Sequence, residues 1–317
     1  MKEFEILILR YTKEDLSLFD FGDYNIRILD IQSQEFDNYI KELNPKFHGG
    51  NNSFFNAIRD EIHNEKRDKK YAIVKNNPLE KFDYHELYKV YDILLVLFPS
   101  ALQIQYAVHF QEENGFVQRQ RMTTLTEKYQ SEEKYLVIDN LSETKIERLN
   151  NLIKIIYPRL DYKNYIGLCY DNYYNSYTAS HLHFAYITLC MSLENLVHGP
   201  QELSYRLKRI SSIVAGSTVE NCSILFKNLT AVYGLRSKIV HGESYSVEDV
   251  ISKIDYLRGL VSRIIVELLL HNVKKNKDLG DIITTLGYGQ RHLISDAWDF
   301  YELNDINTVN IYDEVSA

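Results

Sequence analysis

The sequence predicts an α+β N-terminal domain followed by an all-α helical bundle. Three observations carry that expectation. Up to about residue 150, short β-branched runs with polar flanks alternate with helical segments. Beyond Ser142, apolar residues recur at helical spacing in nearly every long segment down to residue 275. The chain has 317 residues, a length that suits two domains, and 45% of them are hydrophobic, enough for a packed core in each.

The opening MKEFEILILRY is too short and too charged for a signal peptide and reads as a first strand. YNIRILDI and KYAIVKN are further strands. Between them, residues 44–52 form a loop of Asn, Gly and Pro. Ser53 is placed to cap a helix to residue 67, with Phe54, Ile58 and Ile62 on one face. Residues 84–97 carry a helical run into Pro99. IQYAVHFQ and FVQRQRMTTL then pair as a hairpin around Glu112-Glu113-Asn114-Gly115, since Asn-Gly favours a tight turn. KYLVIDN closes the sheet.

Ser142 opens a helix with Ile146, Leu149, Ile153 and Ile156 on one face, ending at Pro158. The Tyr-rich stretch 157–177 reads as a half-buried amphipathic segment, with a stacking surface as the alternative. Residues 180–197 place Phe184, Ile187, Met191 and Leu196 together and stop at His198-Gly199-Pro200. A shorter helix spans 202–215. Ser217 or Thr218 caps the next, which runs through Leu229, Tyr233 and Ile239 to Gly242. Ser246 with Asp249 opens the longest helix, to residue 273, interrupted only by Gly259. Four or five helices joined by short loops make a bundle. The expected organisation is an α+β domain at 1–150, a Tyr-rich connector at 151–177, a bundle at 178–275 and an acidic appendage at 276–317.

The net charge of −8 is unevenly spread. Residues 178–275 hold eleven Lys/Arg against eight Asp/Glu, whereas residues 276–317 hold two against eight. A basic bundle between acidic flanks suits a phosphate-bearing ligand, though less strongly than a typical DNA-binding domain would show. The longest apolar run, 93–102, contains Pro99 and is half of the ~20 residues a spanning helix needs, so no membrane association and a cytoplasmic location are expected.

Cys169, Cys190 and Cys222 are too few and too scattered for a disulfide framework and suit a reducing compartment; Cys190 and Cys222 read as small core residues. The ten histidines show no zinc spacing, and His181 and His183 have no cysteine partner nearby, so no metal site is expected. GxGxxG, Walker-type GxxxxGK[ST], HExxH and GxSxG are all absent. In the N-terminal half, Asp60, Glu61 and His63 share one predicted helix and read as a solvated face.

The most informative stretch is Arg236-Ser237-Lys238-Ile239-Val240-His241-Gly242. Arg236 and His241 are rotated about 140° on an ideal helix. They face one ligand only if the helix breaks between them or if two subunits share the site. Gly242 is the expected residue for a helix end, which sets His241 beside a partial negative charge that attracts a cation. A histidine that titrates near neutrality, with a permanent guanidinium, suits RNA cleavage: the imidazole moves a proton at the 2′-hydroxyl or the 5′-oxygen, and the guanidinium holds the phosphate. An Arg and a His at such spacing are expected about once by chance in this composition, so the pair alone carries no weight.

Its context does. MSLENL, ELSYRLKRISSIVAG and LRSKIVHGE, followed by a long closing helix, resemble the ApeA-like branch of the HEPN (higher eukaryotes and prokaryotes nucleotide-binding) superfamily over residues 178–275, about a third of the chain. The superfamily signature is R-x(4–6)-H. Arg236 and His241 match it, and Ser237 fills a position more often held by Asn, Asp or His. The resemblance implies a metal-independent endoribonuclease that uses no cofactor, with a cleft formed between two HEPN domains of a homodimer. It implies RNA, tRNA among the possibilities, as substrate, and a role in prokaryotic anti-phage defence, abortive infection or a toxin–antitoxin pair. A protein regulator or phage trigger and a sensing N-terminal domain go with it. Glu194 interrupts an apolar face, so it pairs with Arg236 or Arg206 or lies on the solvated side. Lys238, Arg206 and Arg209 are RNA-binding candidates, each with a solvated helix face as the simpler explanation. The alternative function is a non-catalytic HEPN module for dimerisation or for binding RNA or nucleotides.

Overall fold

The computed structural model describes residues 2–43, 69–76, 84–113, 116–124, 142–197 and 202–289. The loop and helix expected over 44–67, the Asn114-Gly115 turn, the strand KYLVIDN, the stop at 198–200 and the acidic residues after 289 lie outside them. Among the described residues the chain divides between Tyr157 and Pro158 into two compact units.

The first unit is built on a five-stranded antiparallel sheet of order β2-β3-β1-β4-β5. The strands are β1 (Lys2–Thr12), β2 (Ile26–Asp30), β3 (Lys69–Lys75), β4 (Gln103–Glu113) and β5 (Phe116–Thr124). β1 has neighbours on both sides and reads as an almost unbroken apolar run because helices cover both sheet faces. Phe4, Ile6 and Ile8 point to one face and pack with Val108, Phe110, Ala72 and Val74 against Phe36, Tyr39 and Ile40 of α1 (Gln34–Leu43). Phe4 and Phe110 are register partners, and their rings stack at 4.9 Å. Leu7, Leu9 and Ile73 point to the other face, and α2 (Tyr84–Leu97) packs on β1 and β3.

Helix α3 (Glu143–Ile156) starts as expected, with Ser142 accepting a hydrogen bond from the Lys145 amide. It belongs to this first unit, although its periodicity resembles that of the helices after it. Its polar side explains why. Asn150 accepts from the Asp20 amide at 2.9 Å and donates to the Leu18 carbonyl, Lys154 lies 3.4 Å from Asp20, and Tyr24 donates to the Lys154 carbonyl. The boundary expected at residue 150 is thereby moved to 157.

One buried group makes this unit pH-sensitive. Glu5 lies on the α2 side of β1 and is 1% exposed, 3.0 Å from His109 Nε2, and accepts a hydrogen bond from Tyr88. Burial raises its carboxyl from 4.5 to about 7, with the Tyr88 hydrogen bond opposing. The folded chain therefore holds the proton more tightly than the unfolded chain, so stability falls as pH rises from 4.5 through 7. Wild-type unfolding midpoints in urea should drop between pH 5 and pH 8 by the equivalent of at most about 3 kcal/mol, and Glu5→Gln should flatten the profile. Equal slopes for the two proteins would refute this.

The second unit contains α4 (Tyr165–Thr178), α5 (Leu182–Glu194), α6 (Leu203–Ala215), α7 (Val219–His241), α8 (Val247–Leu270) and α9 (Asn276–Leu286). Helix α8 is central and packs against α4, α5, α6 and α7. From Tyr256 to Leu269 its residues are buried all round, as its continuous apolar sequence requires. Arg159 caps its far end by donating to the Leu269 and Leu270 carbonyls. Thr218 and Ser246 cap α7 and α8 through the Asn221 and Asp249 amides.

Three expectations change here. The segment treated as a connector holds α4, one of the helices packed on α8; Tyr170 and Tyr173 are buried and their rings contact one another, while Tyr162, Tyr165, Tyr174 and Tyr177 are half-buried, the amphipathic character expected of the stretch. The segment treated as an appendage begins with α9, which packs on α6 with Leu279 and Leu286 buried. The α5 face is also rotated. Leu182, Ala185, Tyr186, Leu189, Cys190 and Leu193 are buried, whereas Phe184 and Met191 are exposed. With α5 apolar almost all round, periodicity could not choose which side faces the core.

Candidate functional site

Helix α7 carries both signature residues, and its end is sharply defined. Gly242 adopts a left-handed conformation at φ 70°, its amide reaches the Ile239 carbonyl, and the Glu243 amide reaches the Lys238 carbonyl at 2.9 Å. This paired arrangement closes the last turn and leaves His241 exposed as its final residue.

Arg236 sits one and a half turns earlier. Its Nη2 lies 3.1 Å from Oε1 and 3.4 Å from Oε2 of Glu194, the last residue of α5. Tyr233, one turn before Arg236, donates to the same carboxylate at 3.4 Å. Of the two partners open to Glu194 in the sequence, the described ion pair is therefore with Arg236. Both side chains are largely covered, at 27% and 20% exposure, and Nη2 is the guanidinium atom that Glu194 holds. Its Nε is buried and has no hydrogen-bond partner among the described residues.

Two further groups border this pair. Cys190 lies one turn before Glu194; burial pushes its thiol up, Glu194 adds to the rise and Arg236 opposes it. Burial likewise raises the Tyr233 hydroxyl, reinforced by Cys190 and Glu194 and opposed by Arg236. Both stay protonated at neutral pH, so Tyr233 serves as a donor that fixes Glu194 and Cys190 as packing. Helical spacing from Arg236 marks Tyr233 in the sequence; nothing in the sequence marks Cys190.

Because α7 is unbroken from Val219 to His241, Arg236 and His241 leave it about 140° apart and about 7.5 Å apart along the axis. Arg236 faces α5. His241 shares the opposite side with Lys238 and Gly234, its neighbours three and seven residues back. The break between them that would let one chain aim both at one ligand is absent. Ser237 and Lys238 are exposed beside them. Arg206 and Arg209 are exposed on α6, with the Arg209 guanidinium 5.7 Å from the Tyr288 ring centroid.

The other candidates are accounted for differently. Cys169, Cys190 and Cys222 are buried and unbridged, and burial raises Cys169 to about 12. His181 and His183 stack on one another, and His183 contacts Phe184. No three His, Cys, Asp or Glu side chains gather as a metal-ligand set among the described residues. Asp60, Glu61 and His63 lie outside those residues. No described helix is long and apolar enough to cross a membrane.

Architecture defines the class at this level: an α+β unit followed by a helical unit with one Arg–Glu–Tyr cluster and a terminal histidine on a shared helix. No family model matches the chain, nor does any curated protein or solved structure.

Proposed function

We propose that the protein is a HEPN-type endoribonuclease whose site is completed by a second copy of the chain. The observation that carries this reading is the Arg236 guanidinium, anchored by Glu194 of α5 and carried on the helix that ends in an exposed His241. A phosphate bound by Arg236 is polarised by it, and the developing negative charge is stabilised in place. The 2′-oxygen closes on phosphorus and the bond from phosphorus to O5′ breaks, leaving a 2′,3′-cyclic phosphate and a 5′-hydroxyl. His241 takes the proton from the 2′-hydroxyl or supplies the one that O5′ gains. No cofactor enters these steps.

The helix geometry supports sharing between subunits, since one chain aims its Arg236 and its His241 apart. Val240, one turn beyond Arg236, is 49% exposed, and Phe184 and Met191 present an exposed apolar stripe on α5, the helix that carries Glu194. Such a stripe beside the site fits a self-associating face. The resemblance of residues 178–275 to the ApeA-like branch is what supports a role in prokaryotic anti-phage defence, abortive infection or a toxin pair, and in this reading the N-terminal unit senses a trigger in the cytoplasm.

The test is incubation of the purified full chain with total RNA and with tRNA. Products ending in 2′,3′-cyclic phosphate are expected from wild type and not from His241→Ala. Products of equal amount from both would sink the proposal. A second reading follows from the same ion pair: if Glu194 is simply the structural partner of Arg236, the bundle is a non-catalytic module, and RNA binds without being cut.

A further inference from the structure

A groove of about 540 Å³ runs between α7 and the first two turns of α8, on the side away from Glu194. Its floor is apolar, made by Phe226, Ala231 and Leu235, and its walls carry Lys227, Lys238 and Lys253 against a single carboxylate, Asp249. Lys208 of α6 borders it, with Nζ 3.3 Å from Thr230 Oγ1 and 5.1 Å from the Phe226 ring centroid. Lys253 is 6% exposed, lies 3.8 Å from Asp249 and donates to Ser252 Oγ, so the cations open to solvent along the groove are Lys227 and Lys238. Lys227, Gly234 and Lys238 are exposed, so the groove is open along its length rather than an enclosed pocket.

Helical spacing ties the groove to the proposed chemistry. Lys227, Ala231, Gly234, Lys238 and His241 follow one another at intervals of three or four residues, so they form one stripe on α7. Lys238 precedes His241 by about 4.5 Å along the axis. A polyanion lying on the lysines is thus led to the imidazole. Glu194 already neutralises part of the charge of Arg236, so the positive charge needed to hold a strand must come from elsewhere, and this stripe carries it.

We propose that the groove between α7 and α8 is the track for a single RNA strand, with phosphates on the exposed Lys227 and Lys238 and a base against Phe226 and Leu235. This rests on the ribonuclease reading and adds where the substrate lies. Lysines supply sequence-independent attraction for phosphates, and an aromatic floor takes a base face of any identity.

Gly234 offers a local probe. A Cβ at this position meets nothing within 4 Å, and Leu is a far better helix former than Gly, so Gly234→Leu fills the groove without changing charge or threatening the fold. The experiment uses the full chain carrying His241→Ala, to prevent cleavage, and a fluorescein-labelled single-stranded RNA oligonucleotide, read by anisotropy from 50 to 300 mM salt. Lys227→Glu with Lys238→Glu should weaken binding at least about tenfold and reduce the salt slope by about 1.4, at ~0.7 per phosphate contact. Gly234→Leu should weaken it at least about threefold with an unchanged thermal midpoint. In chains that retain His241, both sets of changes should raise KM and leave kcat near wild type.

Wild-type affinity in Gly234→Leu, or displacement of the oligonucleotide by equimolar AMP, would overturn the track. Cutting by wild type that groove substitutions leave untouched would overturn the track and spare the ribonuclease reading. Binding that depends on the groove without any cutting would do the reverse.

Discussion

Arg236→Ala and His241→Ala chains, each inactive alone, should regain about a quarter of wild-type RNA cleavage when unfolded and refolded together in equal amounts. Each substitution by itself should lower cleavage ~10²–10⁴-fold, the range for losing a general acid–base group or a preorganised donor. The recovery follows from α7 being helical without a break, which points Arg236 at α5 and His241 away from it. If each site takes its arginine from one chain and its histidine from the other, a mixed dimer keeps one intact site of two. Random pairing makes about half of the dimers mixed, hence a quarter of the sites. Refolding each variant alone is the control. Both single losses with no recovery on mixing would exclude the shared site and return the pair to a single chain, where α7 would have to distort between residues 236 and 241.

Removing one partner of the buried ion pair in the last two turns of α8 should cost the bundle about 3–5 kcal/mol, whereas replacing both by apolar residues should cost little or even stabilise it. Arg263 is fully buried, Glu267 is 1% exposed, and Arg263 Nε lies 3.4 Å from Glu267 Oε1 one turn away. His271, a turn further, approaches the other carboxylate oxygen at 4.0 Å. Desolvating two ions nearly cancels their attraction, so the pair contributes little by itself. Once Glu267 is gone, however, a guanidinium is left deep in the helical unit without the carboxylate beside it. Urea unfolding of Glu267→Leu, Arg263→Met and the double variant measures this. A double variant less stable than either single one would show the pair to be strongly stabilising in its own right.

Local features were legible in the residues wherever a short-range rule applies. Helix α2 has the bounds its periodicity indicates, and Ser142, Thr218 and Ser246 cap the helices they precede. Gly242 ends α7 through its left-handed backbone. β4 and β5 pair antiparallel, as their alternation indicates. The boundary expected at 150 cuts helix α3 in two because periodicity shows that a helix has an apolar face but not which core that face meets; Asn150 and Lys154, reaching residues some 130 positions earlier, decide it. The exposure of Phe184 and Met191 was hidden in a helix apolar nearly all round. Glu194 was visible only as an interruption with two candidate partners.

By itself the sequence determined the described strands, several helix ends and the two residue types that suggest phosphate chemistry, because capping, turns and periodicity act within a few residues. The tertiary structure decided what those residues face. It set Arg236 against Glu194 and Tyr233, put His241 on the lysine-lined side of the same helix, and buried Arg263 with Glu267 at the bundle centre. Those relations join residues tens of positions apart, or follow from how a continuous helix is rotated against its neighbours. Packing of whole helices against one another sets both.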